Sequence, residues 1–260
     1  MKILLTGSKG FIGKNLISHL KEDESIEILT FDSCDNFSKI EDNIEDIDFI
    51  FHFAAVIKSK NDEEFYLGNS NLTKKIVDLI KDKNIPLLFT STIHSGENTC
   101  YGKTKQIAEE YIINNLNKSK YYVFRLHNVF GKWCKPNYNS VVSTFCYNIS
   151  HDLEINIYDP NIMVPLIYID DVVEEFLNIM KGGSPMEIDG NYCFINPRYN
   201  VTLEYISSLL YQFKKLTNYN YVPNIEDEFV KKLYLTYVSY VDVNKNIIDI
   251  SKKQIKTKVL

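Results

Sequence analysis

The sequence predicts an α/β fold built on a doubly wound parallel sheet. Two observations favour it: short apolar runs alternate with amphipathic helical segments, and a glycine-rich turn follows the first apolar run. The chain has 260 residues, of which 45% are hydrophobic and 24% are charged. A chain of this length and composition can bury a full core as a single domain, 1–260. In such a fold, ligands are expected over the carboxyl ends of the strands.

The individual elements follow from hydrophobic periodicity. Residues 2–6 are predicted to form a buried strand, followed by the glycine turn, a helix over 14–21 and a second strand over 26–31. Apolar runs and helical spacing then predict alternating strands and helices at 49–55, 69–83, 86–90, 101–116 and 121–126. The pattern is irregular beyond residue 128, until a strand and a helix near 167–180 and two helices within 200–240.

Composition argues against several classes of protein. The net charge is −5 without a basic tract, so we expect no nucleic acid partner. No apolar run approaches bilayer-spanning length and no signal peptide is expected at the start, which argues against a membrane protein. The five cysteines are scattered without a CxxC pair or a zinc-like His/Cys spacing. We therefore expect reduced thiols, no metal site and a cytoplasmic protein.

The glycine turn has the pattern of a dinucleotide cradle. Gly7 permits a tight turn, Gly10 lets backbone approach a pyrophosphate, and Gly13 allows the helix to pack close to the sheet. The helix that follows would present unpaired N–H groups to the phosphates. The residues between the glycines that we expect to contact the cofactor are Lys9, Phe11 and Ile12. The alternative is a glycine turn with only a structural role.

The residues after the second strand bear on cofactor choice. Asp32 would accept hydrogen bonds from the adenosine ribose and repel a 2′-phosphate, which favours NAD(H) over NADP(H). Ser33 follows it, and no arginine lies nearby to bind such a phosphate. The alternative is that Asp32 simply faces water at a strand end.

Tyr101 and Lys105 are the candidate catalytic pair. At i, i+4 spacing they share one face of the predicted helix, where Lys105 would lower the pKa of the phenol. Thr92, or Ser91 beside it, closes the preceding strand, and its hydroxyl could hold a substrate carbonyl oxygen. The alternative is an exposed helical tyrosine and lysine without a catalytic role. His52, within an apolar run, is expected to be a packed core residue, and Asp171 is expected to cap its helix.

These motifs, in this order, resemble the extended short-chain dehydrogenase/reductase superfamily, the NAD-dependent epimerase/dehydratase family. The resemblance covers about residues 1–185 and includes Arg125-x-x-Asn128-x-x-Gly131 and Tyr168-Ile169-Asp170-Asp171. It implies a Rossmann-like sheet with a small C-terminal substrate-binding subdomain. The dinucleotide-binding core would be 1–127 and about 161–182, and the substrate-binding part about 128–160 and 183–260. The implied cofactor contacts include Ala54, Ala55, Asn69, Tyr101 and Lys105.

A narrower resemblance points to the reductase domain of CapF-type capsular-polysaccharide enzymes. It rests on the stretches 64–69, 130–147, 201–214 and 233–240. It implies NAD(P)H-dependent reduction of the C4 keto group of a UDP-2-acetamido-2,6-dideoxy-hexulose for surface polysaccharide. Proteins of this type also carry a metal-dependent cupin domain, whose epimerisation is not expected here. Their second strand ends in a basic residue suited to NADPH, in contrast to Asp32-Ser33.

The resemblance implies a role for each site residue. Tyr101 would donate a proton to the substrate oxygen, Thr92 would orient that oxygen and Lys105 would tune the phenol. Dehydration is not expected, because Ile93 and His94 follow Thr92 where a dehydratase needs an acid pair. The candidate substrate contacts are Ser91, His94, Asn128, Lys132, Lys135 and Asn139.

Two other functions remain open at this point. One is a nucleotide-sugar C4 epimerase with tightly bound NAD, and the other is a non-catalytic dinucleotide-sensing module. The resemblance also implies a homodimer that pairs the helices at 69–83 and 101–116. The alternative is that the outer faces of these helices are solvated.

Overall fold

In a computed structural model of the chain, which describes residues 1–218 and 223–242, strands and helices alternate. The first half contains β1 (Lys2–Thr6), α1 (Phe11–Leu20), β2 (Glu27–Phe31), α2 (Ser38–Glu41), β3 (Phe49–His52), α3 (Asp62–Phe65), α4 (Leu72–Ile80), β4 (Leu87–Thr92), α5 (Cys100–Asn115) and β5 (Tyr121–Leu126). The second half contains β6 (Asn128–Phe130), α6 (Val141–Ser150), β7 (Met163–Tyr168), α7 (Ile169–Met180), β8 (Glu187–Asp189), β9 (Tyr192–Phe194), β10 (Tyr199–Thr202), α8 (Leu203–Asn218) and α9 (Glu228–Val238).

The main sheet of the described residues has seven strands in the order β2-β1-β3-β4-β5-β9-β8. All its neighbouring strands run parallel except the edge pair β8 and β9. Ile3 and Leu5 of β1 belong to one hydrophobic cluster and Leu4 to another, as the alternation of a strand requires. The first cluster includes buried residues of α1 and α7, and the second includes those of α4 and α5. Helices therefore cover both faces, which confirms the predicted Rossmann-like, doubly wound sheet.

A second, three-stranded sheet in the described part of the chain has the order β10-β7-β6. Helices α6, α8 and α9 pack together beside it. The strand partners differ from the predicted division at two points: β7 pairs within this small sheet, whereas β8 and β9 extend the main one. Strand partners are set by non-local contacts, which an apolar run does not reveal. Residues 219–222 and 243–260 of the predicted substrate-binding part lie outside the described residues.

Three local boundaries also differ from the sequence prediction. β3 ends at His52, so Ala54 and Ala55 lie in the following loop. The helix predicted over 69–83 begins as a π-helical turn, Tyr66–Asn71, and continues as α4. The carboxylate of Asp171 does not cap α7, because it accepts hydrogen bonds of 2.8 Å from Lys232 of α9. None of the helices within the described ranges has the length and apolar composition that a bilayer-spanning segment needs.

Candidate active site

A cleft of about 1130 Å³ opens at the carboxyl ends of β4 and β5. Its walls come from these strand ends, the glycine turn before α1, the start of α5 and the segment 133–141. This is the position at which parallel α/β sheets bind their ligands. The candidate catalytic residues and the glycine turn therefore face one shared space.

The three glycines differ in the contacts that a side chain would make at each position. Gly7 has a φ of +75°, and a Cβ there would lie 2.7 Å from the backbone nitrogen of Ala54. A Cβ on Gly13 would lie 2.4 Å from the carbonyl oxygen of Gly7. Gly10 is exposed, and a Cβ there would approach only the Gly7 oxygen, at 3.1 Å. Internal packing thus explains Gly7 and Gly13, whereas Gly10 leaves its face open to a ligand in the cleft.

The N-terminus of α1 suits a phosphate group. Gly10 occupies the N-cap position, and no side chain caps the helix. The first N–H groups of such a helix have no intrahelical partner and carry a partial positive charge. Because Gly10, Phe11 and Ile12 all line the cleft, these groups point to the space that a dinucleotide pyrophosphate would fill.

Asp32 lies directly against the glycine turn. Its carboxylate accepts a hydrogen bond of 2.5 Å from the hydroxyl of Ser8 and one of 3.2 Å from the backbone N–H of Lys9. Ser33 is exposed beside it, and the ammonium of Lys9 lies 3.7 Å from the Cys34 sulfur. A fixed carboxylate at this end of the turn fits the acceptor that an adenosine ribose needs.

Tyr101 is positioned by close packing at the start of α5. The helix begins at the N-cap residue Thr99, whose hydroxyl accepts a 2.9 Å hydrogen bond from the N–H of Gly102. A Cβ on Gly102 would lie 2.7 Å from the carbonyl oxygen of His94. The first turn of α5 therefore presses against the loop that follows β4, which brings Tyr101 to the cleft wall near Thr92.

Lys105 is almost fully buried, with 2% exposure. Its ammonium donates a 2.7 Å hydrogen bond to the carbonyl oxygen of Thr90 and lies 4.4 Å from the centre of the Phe89 ring. Burial lowers the pKa of Lys105 to about 7, while the charge of Glu109 acts in the opposite direction. The side chain thus sits behind the cleft wall as an ammonium that is easily discharged.

The predicted lowering of the phenol pKa is wrong. Burial raises the pKa of Tyr101 to about 12. Lys105 directs its ammonium to the Thr90 carbonyl, so it does not offset the loss of water around the phenol. At neutral pH, Tyr101 is consequently a protonated phenol, which is the form that a proton donor needs.

Thr92 and Ser91 have different roles in the structure. Both line the cleft. The hydroxyl of Ser91 donates to the carboxylate of Glu109 at 2.5 Å, whereas that of Thr92 accepts a 3.2 Å hydrogen bond from the N–H of His94. Thr92 keeps its proton for another acceptor, so it is the better candidate to hold a substrate oxygen.

Most of the predicted site residues meet at the cleft. Those that line it are Lys9, Gly10, Phe11, Ile12, Ala55, Ser91, Thr92, His94, Tyr101, Lys105, Asn128, Lys135 and Asn139. The others lie outside its wall, namely Gly7, Gly13, Asp32, Ser33, Ala54, Asn69 and Lys132. Gly7, Gly13 and Ala54 nevertheless shape the turn from behind.

Asn69 and Lys132 are engaged elsewhere. The Asn69 amide accepts from the N–H of Val56 at 2.7 Å, and donates to the Val56 carbonyl at 3.1 Å and to the Thr104 hydroxyl at 3.0 Å. It therefore clamps the loop after β3 to α5. The ammonium of Lys132 lies 3.7 Å from the carboxylate of Asp170, which draws it away from the cleft.

Sequence reasoning missed several residues of the cleft wall. His127 lies between β5 and Asn128, and its buried Nδ1 has no hydrogen-bond partner within the described residues. Burial lowers the pKa of His127, so the ring stays a neutral acceptor. Trp133, which has a φ of +67°, and Lys14 also line the cleft. His127 could have been found from the end of the strand at Leu126, because residues that follow a parallel strand lie at the edge of the sheet where ligands bind.

Lysines outnumber carboxylates on the cleft wall, where the described part of the chain contributes Asp62 and Glu97 as acidic residues. Lys9, Lys14 and Lys135 line it, and in the part of the chain that the structure describes no carboxylate forms an ion pair with any of them. The ammonium of Lys135 lies 5.1 Å from the centre of the Tyr138 ring. Unpaired cations around a cleft favour anionic ligands.

The fold and this site define a dinucleotide-dependent class of enzyme scaffold. Residues 3–191 match the model of the NAD dependent epimerase/dehydratase family, and the chain belongs to this family. The sequence-based resemblance to it is confirmed.

Two curated proteins are among the relatives that the chain resembles. The chain is 36% identical over 245 residues to the UDP-2-acetamido-2,6-beta-L-arabino-hexul-4-ose reductase of Pseudomonas aeruginosa, which covers 93% of this chain and 65% of that protein. It is 34% identical over 149 residues to the GDP-6-deoxy-D-talose 4-dehydrogenase of Aggregatibacter actinomycetemcomitans, covering 50% of this chain and 48% of that protein. The chain thus spans less than two-thirds of the first relative and about half of the second.

Solved structures support the same family. The capsular polysaccharide assembling protein CapF of Staphylococcus aureus superposes with a TM-score of 0.80 at 34% identity, over 95% of this chain and 66% of that chain. The UDP-glucuronic acid 4-epimerase of Bacillus cereus, in complex with NAD, superposes with a TM-score of 0.76 at 18% identity, over 96% of this chain and 99% of that one. The first confirms the resemblance to CapF-type proteins, and the second shows the shared fold.

Proposed function

We propose that the protein is an NAD(P)H-dependent reductase of the C4 keto group of a UDP-2-acetamido-2,6-dideoxy-hexulose, in deoxy amino sugar nucleotide biosynthesis for surface polysaccharide. The observation that carries the proposal is the pairing of Tyr101, a protonated phenol on the cleft wall, with buried Lys105 one helical turn behind it. The 36% identical Pseudomonas reductase supports the same reaction and substrate class.

The chain supplies the proton, the orientation and the charge for this reaction. A bound reduced nicotinamide dinucleotide would supply the hydride that C4 accepts. Tyr101 donates its phenolic proton to the carbonyl oxygen as negative charge develops there, which is general acid catalysis. The hydroxyl of Thr92 donates to the same oxygen and fixes its direction. Lys105, when charged, adds positive charge one helical turn from the phenolate that remains.

The residues that would hold the dinucleotide surround the turn before α1. The open face of Gly10 and the uncapped N-terminus of α1 accommodate the pyrophosphate, and Asp32 accepts from the adenosine ribose. The carboxylate favours NADH, whereas the resemblance to CapF-type proteins favours NADPH. We propose that the enzyme uses NAD(H) or NADP(H), with the preference to be measured.

The substrate half of the cleft carries the remaining candidates. Lys135 and Asn139 lie on the segment 133–141, where the lysine suits a sugar-nucleotide diphosphate. Asn128 is exposed at the start of β6, and its side-chain amide donates to the Pro165 carbonyl at 3.2 Å. His94 pairs with Glu97 through a 2.6 Å contact at its Nδ1, which leaves Nε2 for the sugar.

A cofactor oxidation assay tests the proposal. The purified protein is mixed with a UDP-4-keto-6-deoxy-N-acetylhexosamine and either NADH or NADPH, and the loss of absorbance of the reduced cofactor is followed. We expect stoichiometric oxidation and a C4 alcohol identified by NMR. Absence of oxidation with both cofactors would contradict the reductase, and conversion of a UDP-sugar by protein-bound NAD without added reductant would instead identify a C4 epimerase. The homodimer and the cytoplasmic location stay predictions.

A further inference from the structure

Glu109 is a fully buried carboxylate, with 0% exposure, on the same helix as the candidate catalytic pair. It follows Lys105 by one turn of α5 and Tyr101 by two, so the three side chains lie along one face of the helix. A buried ionised carboxylate is stable only when hydrogen bonds and opposite charge compensate its lost hydration. The groups that donate hydrogen bonds to Glu109 therefore show which structural elements this carboxylate connects.

Three elements donate hydrogen bonds to this carboxylate. Ser91 at the end of β4 donates at 2.5 Å, and Ser95 in the following loop donates at 2.8 Å. Arg125 of β5 donates from Nε at 3.1 Å and from Nη2 at 2.7 Å. Glu109 thus fastens α5 to the strand end that carries Thr92, to the loop that carries His94 and to the neighbouring strand.

The guanidinium of Arg125 is itself fixed. It lies 3.6 Å from the centre of the Tyr192 ring of β9, and its side chain is only 26% exposed. A bidentate arginine–carboxylate pair restrained on both sides has little freedom to shift. This carboxylate consequently ties β4, β5 and α5 together under the cleft.

Glu109 also acts on Lys105 through its charge. Burial is the larger influence on Lys105 and lowers its pKa, and Glu109 opposes that effect. The other titratable groups near Lys105 do not supply negative charge at neutral pH. His52 of β3 is held neutral, with a pKa lowered to about 3 by burial and by Lys105, and Tyr101 stays protonated.

We propose that Glu109 is a positioning residue for the reduction, one that holds Thr92, Tyr101 and Lys105 in register through Ser91, Ser95 and Arg125 and keeps the Lys105 ammonium charged. The inference deepens the proposed function and rests on it for the identity of the reaction. Its charge role concerns Lys105 alone, so that part can be measured without the sugar substrate.

Binding of the reduced dinucleotide provides the test. The chain has one tryptophan, Trp133, which lines the cleft, so energy transfer from it to NADH or NADPH reports binding. The dissociation constant is measured over a range of pH. In a plot of its logarithm against pH, a change of slope, called the break below, marks the pKa of a group in the free protein whose protonation affects binding. Affinity is expected to fall as pH rises through the pKa of Lys105. Glu109→Gln should move this break to lower pH by about 1 unit, since a nearby opposite charge has an effect of that order.

The matched control is Glu110→Gln. Glu110 is the next residue, faces solvent and accepts a 2.9 Å hydrogen bond from Gln106. Its variant should keep the wild-type break and the wild-type kcat. His94 and His127 line the cleft in every variant, so only the difference between the two substitutions is counted.

Turnover supplies the second readout. Glu109→Gln should lower kcat for the keto sugar roughly tenfold or more, because a small misplacement of reacting groups has large effects on rate. A lowered kcat with an unmoved break, or an unchanged kcat, would overturn the proposal. A shifted break in a protein that never oxidises NADH or NADPH would count against the proposed reduction, but not against the charge role of Glu109.

A second variant covers the case in which Glu109→Gln does not fold. Ser95→Ala keeps the carboxylate and removes one of its donors. We expect its kcat to fall by a few fold, as for the loss of one hydrogen bond, while the break stays at or above the wild-type pH. An unchanged kcat, or a break at lower pH than in the wild type, would overturn the proposal.

Discussion

The chemistry of the cleft depends on how single side chains balance burial against charge. Tyr101 and Lys105 are both driven towards their neutral forms by lost hydration, the phenol with a raised pKa and the amine with a lowered one. A neutral phenol is a competent proton donor, and its proton leaves most easily when the amine behind it is charged. The pair therefore suits a reaction in which negative charge appears on the substrate oxygen.

This view of Tyr101 predicts the effect of removing its hydroxyl. Tyr101→Phe should lower turnover about 100-fold or more, because the general acid is lost, while the affinity for NADH or NADPH stays near that of the wild type. Steady-state kinetics and Trp133 energy transfer measure the two quantities. Tyr111→Phe is a control on the same helix, since the Tyr111 hydroxyl donates to Asp78 at the exposed surface. Unchanged turnover in Tyr101→Phe would remove this residue from the mechanism.

His127 is the other residue whose environment predicts a role. The ring lines the cleft and its buried Nδ1 lacks a partner in the described part of the chain, so we expect a small shift of the ring on substrate binding to bring that nitrogen a donor. His127→Ala should raise the KM for the keto sugar roughly tenfold, as for the loss of one buried hydrogen bond, without weakening dinucleotide binding. A KM equal to that of the wild type would show that the ring has no contact with the sugar.

At the level of elements, a directed chain of hydrogen bonds joins β1, β3 and α4. The N–H of Ala54 donates to the Thr6 hydroxyl at 3.2 Å, and that hydroxyl lies 2.7 Å from Nδ1 of His52. Nε2 of His52 lies 2.9 Å from the hydroxyl of Thr73, which donates to the Asn69 carbonyl at 2.8 Å. Because Thr73 donates its proton to Asn69, His52 donates from Nε2, and a neutral ring then accepts at Nδ1 from the Thr6 hydroxyl. Burial lowers the pKa of His52 to about 3, so folding requires the neutral imidazole.

This requirement predicts an acid sensitivity. The folded-state pKa of His52 is lowered to about 3 from its ordinary value of 6.5, so between these values the unfolded chain binds a proton that the folded chain does not. Stability should therefore fall as the pH is lowered from 6.5 towards 3. Urea unfolding at about pH 7 and about pH 4.5 measures the change. His52→Gln cannot take up that proton and should lose less stability between the two conditions; an equal loss would refute the neutral imidazole.

The junction of β1 and α1 predicts different outcomes for its glycines. Gly13→Ala should destabilise the protein by about 1–3 kcal/mol, because the added methyl meets backbone that cannot move aside. Gly10→Ala has more room and should fold with a smaller loss, but it should weaken dinucleotide binding because its methyl enters the phosphate space. Thermal unfolding and Trp133 energy transfer separate the two effects. If Gly10→Ala and Gly13→Ala were equally stable and lost dinucleotide binding equally, Gly10 would have no special role in binding.

At the scale of the whole molecule, the sequence predicts strands β1 to β5 of the main sheet better than β8, β9 and the smaller sheet. The main strands are continuous apolar runs buried on both faces, which is a local signal. Strands β6, β8, β9 and β10 have three or four residues each and depend on distant partners for their pairing. Short segments of this kind carry little periodicity, so their positions could not be predicted from the sequence.

The candidate site divides in the same way. Residues that belong to a spaced motif, such as Gly10, Tyr101 and Lys105, were placed at the cleft in advance. The hydrogen-bonding network around Glu109 and the orphaned Nδ1 of His127 were not, because each depends on contacts between residues of different elements. The ion pair of Lys132 with Asp170 of α7 is a contact of the same kind, and the contact of Lys132 with substrate stays a prediction.

Ile3, Leu4 and Leu5 alternate between the two hydrophobic clusters, and this alternation restricts the insertions and deletions that the sequence can accept. Loss of a single residue from β1 would send each following side chain of the strand into the opposite core. The same shift would carry Gly7 away from the backbone of Ala54, which it closely approaches. Length variation is therefore tolerable in surface loops but not in this strand, where one deletion would abolish folding and dinucleotide binding together.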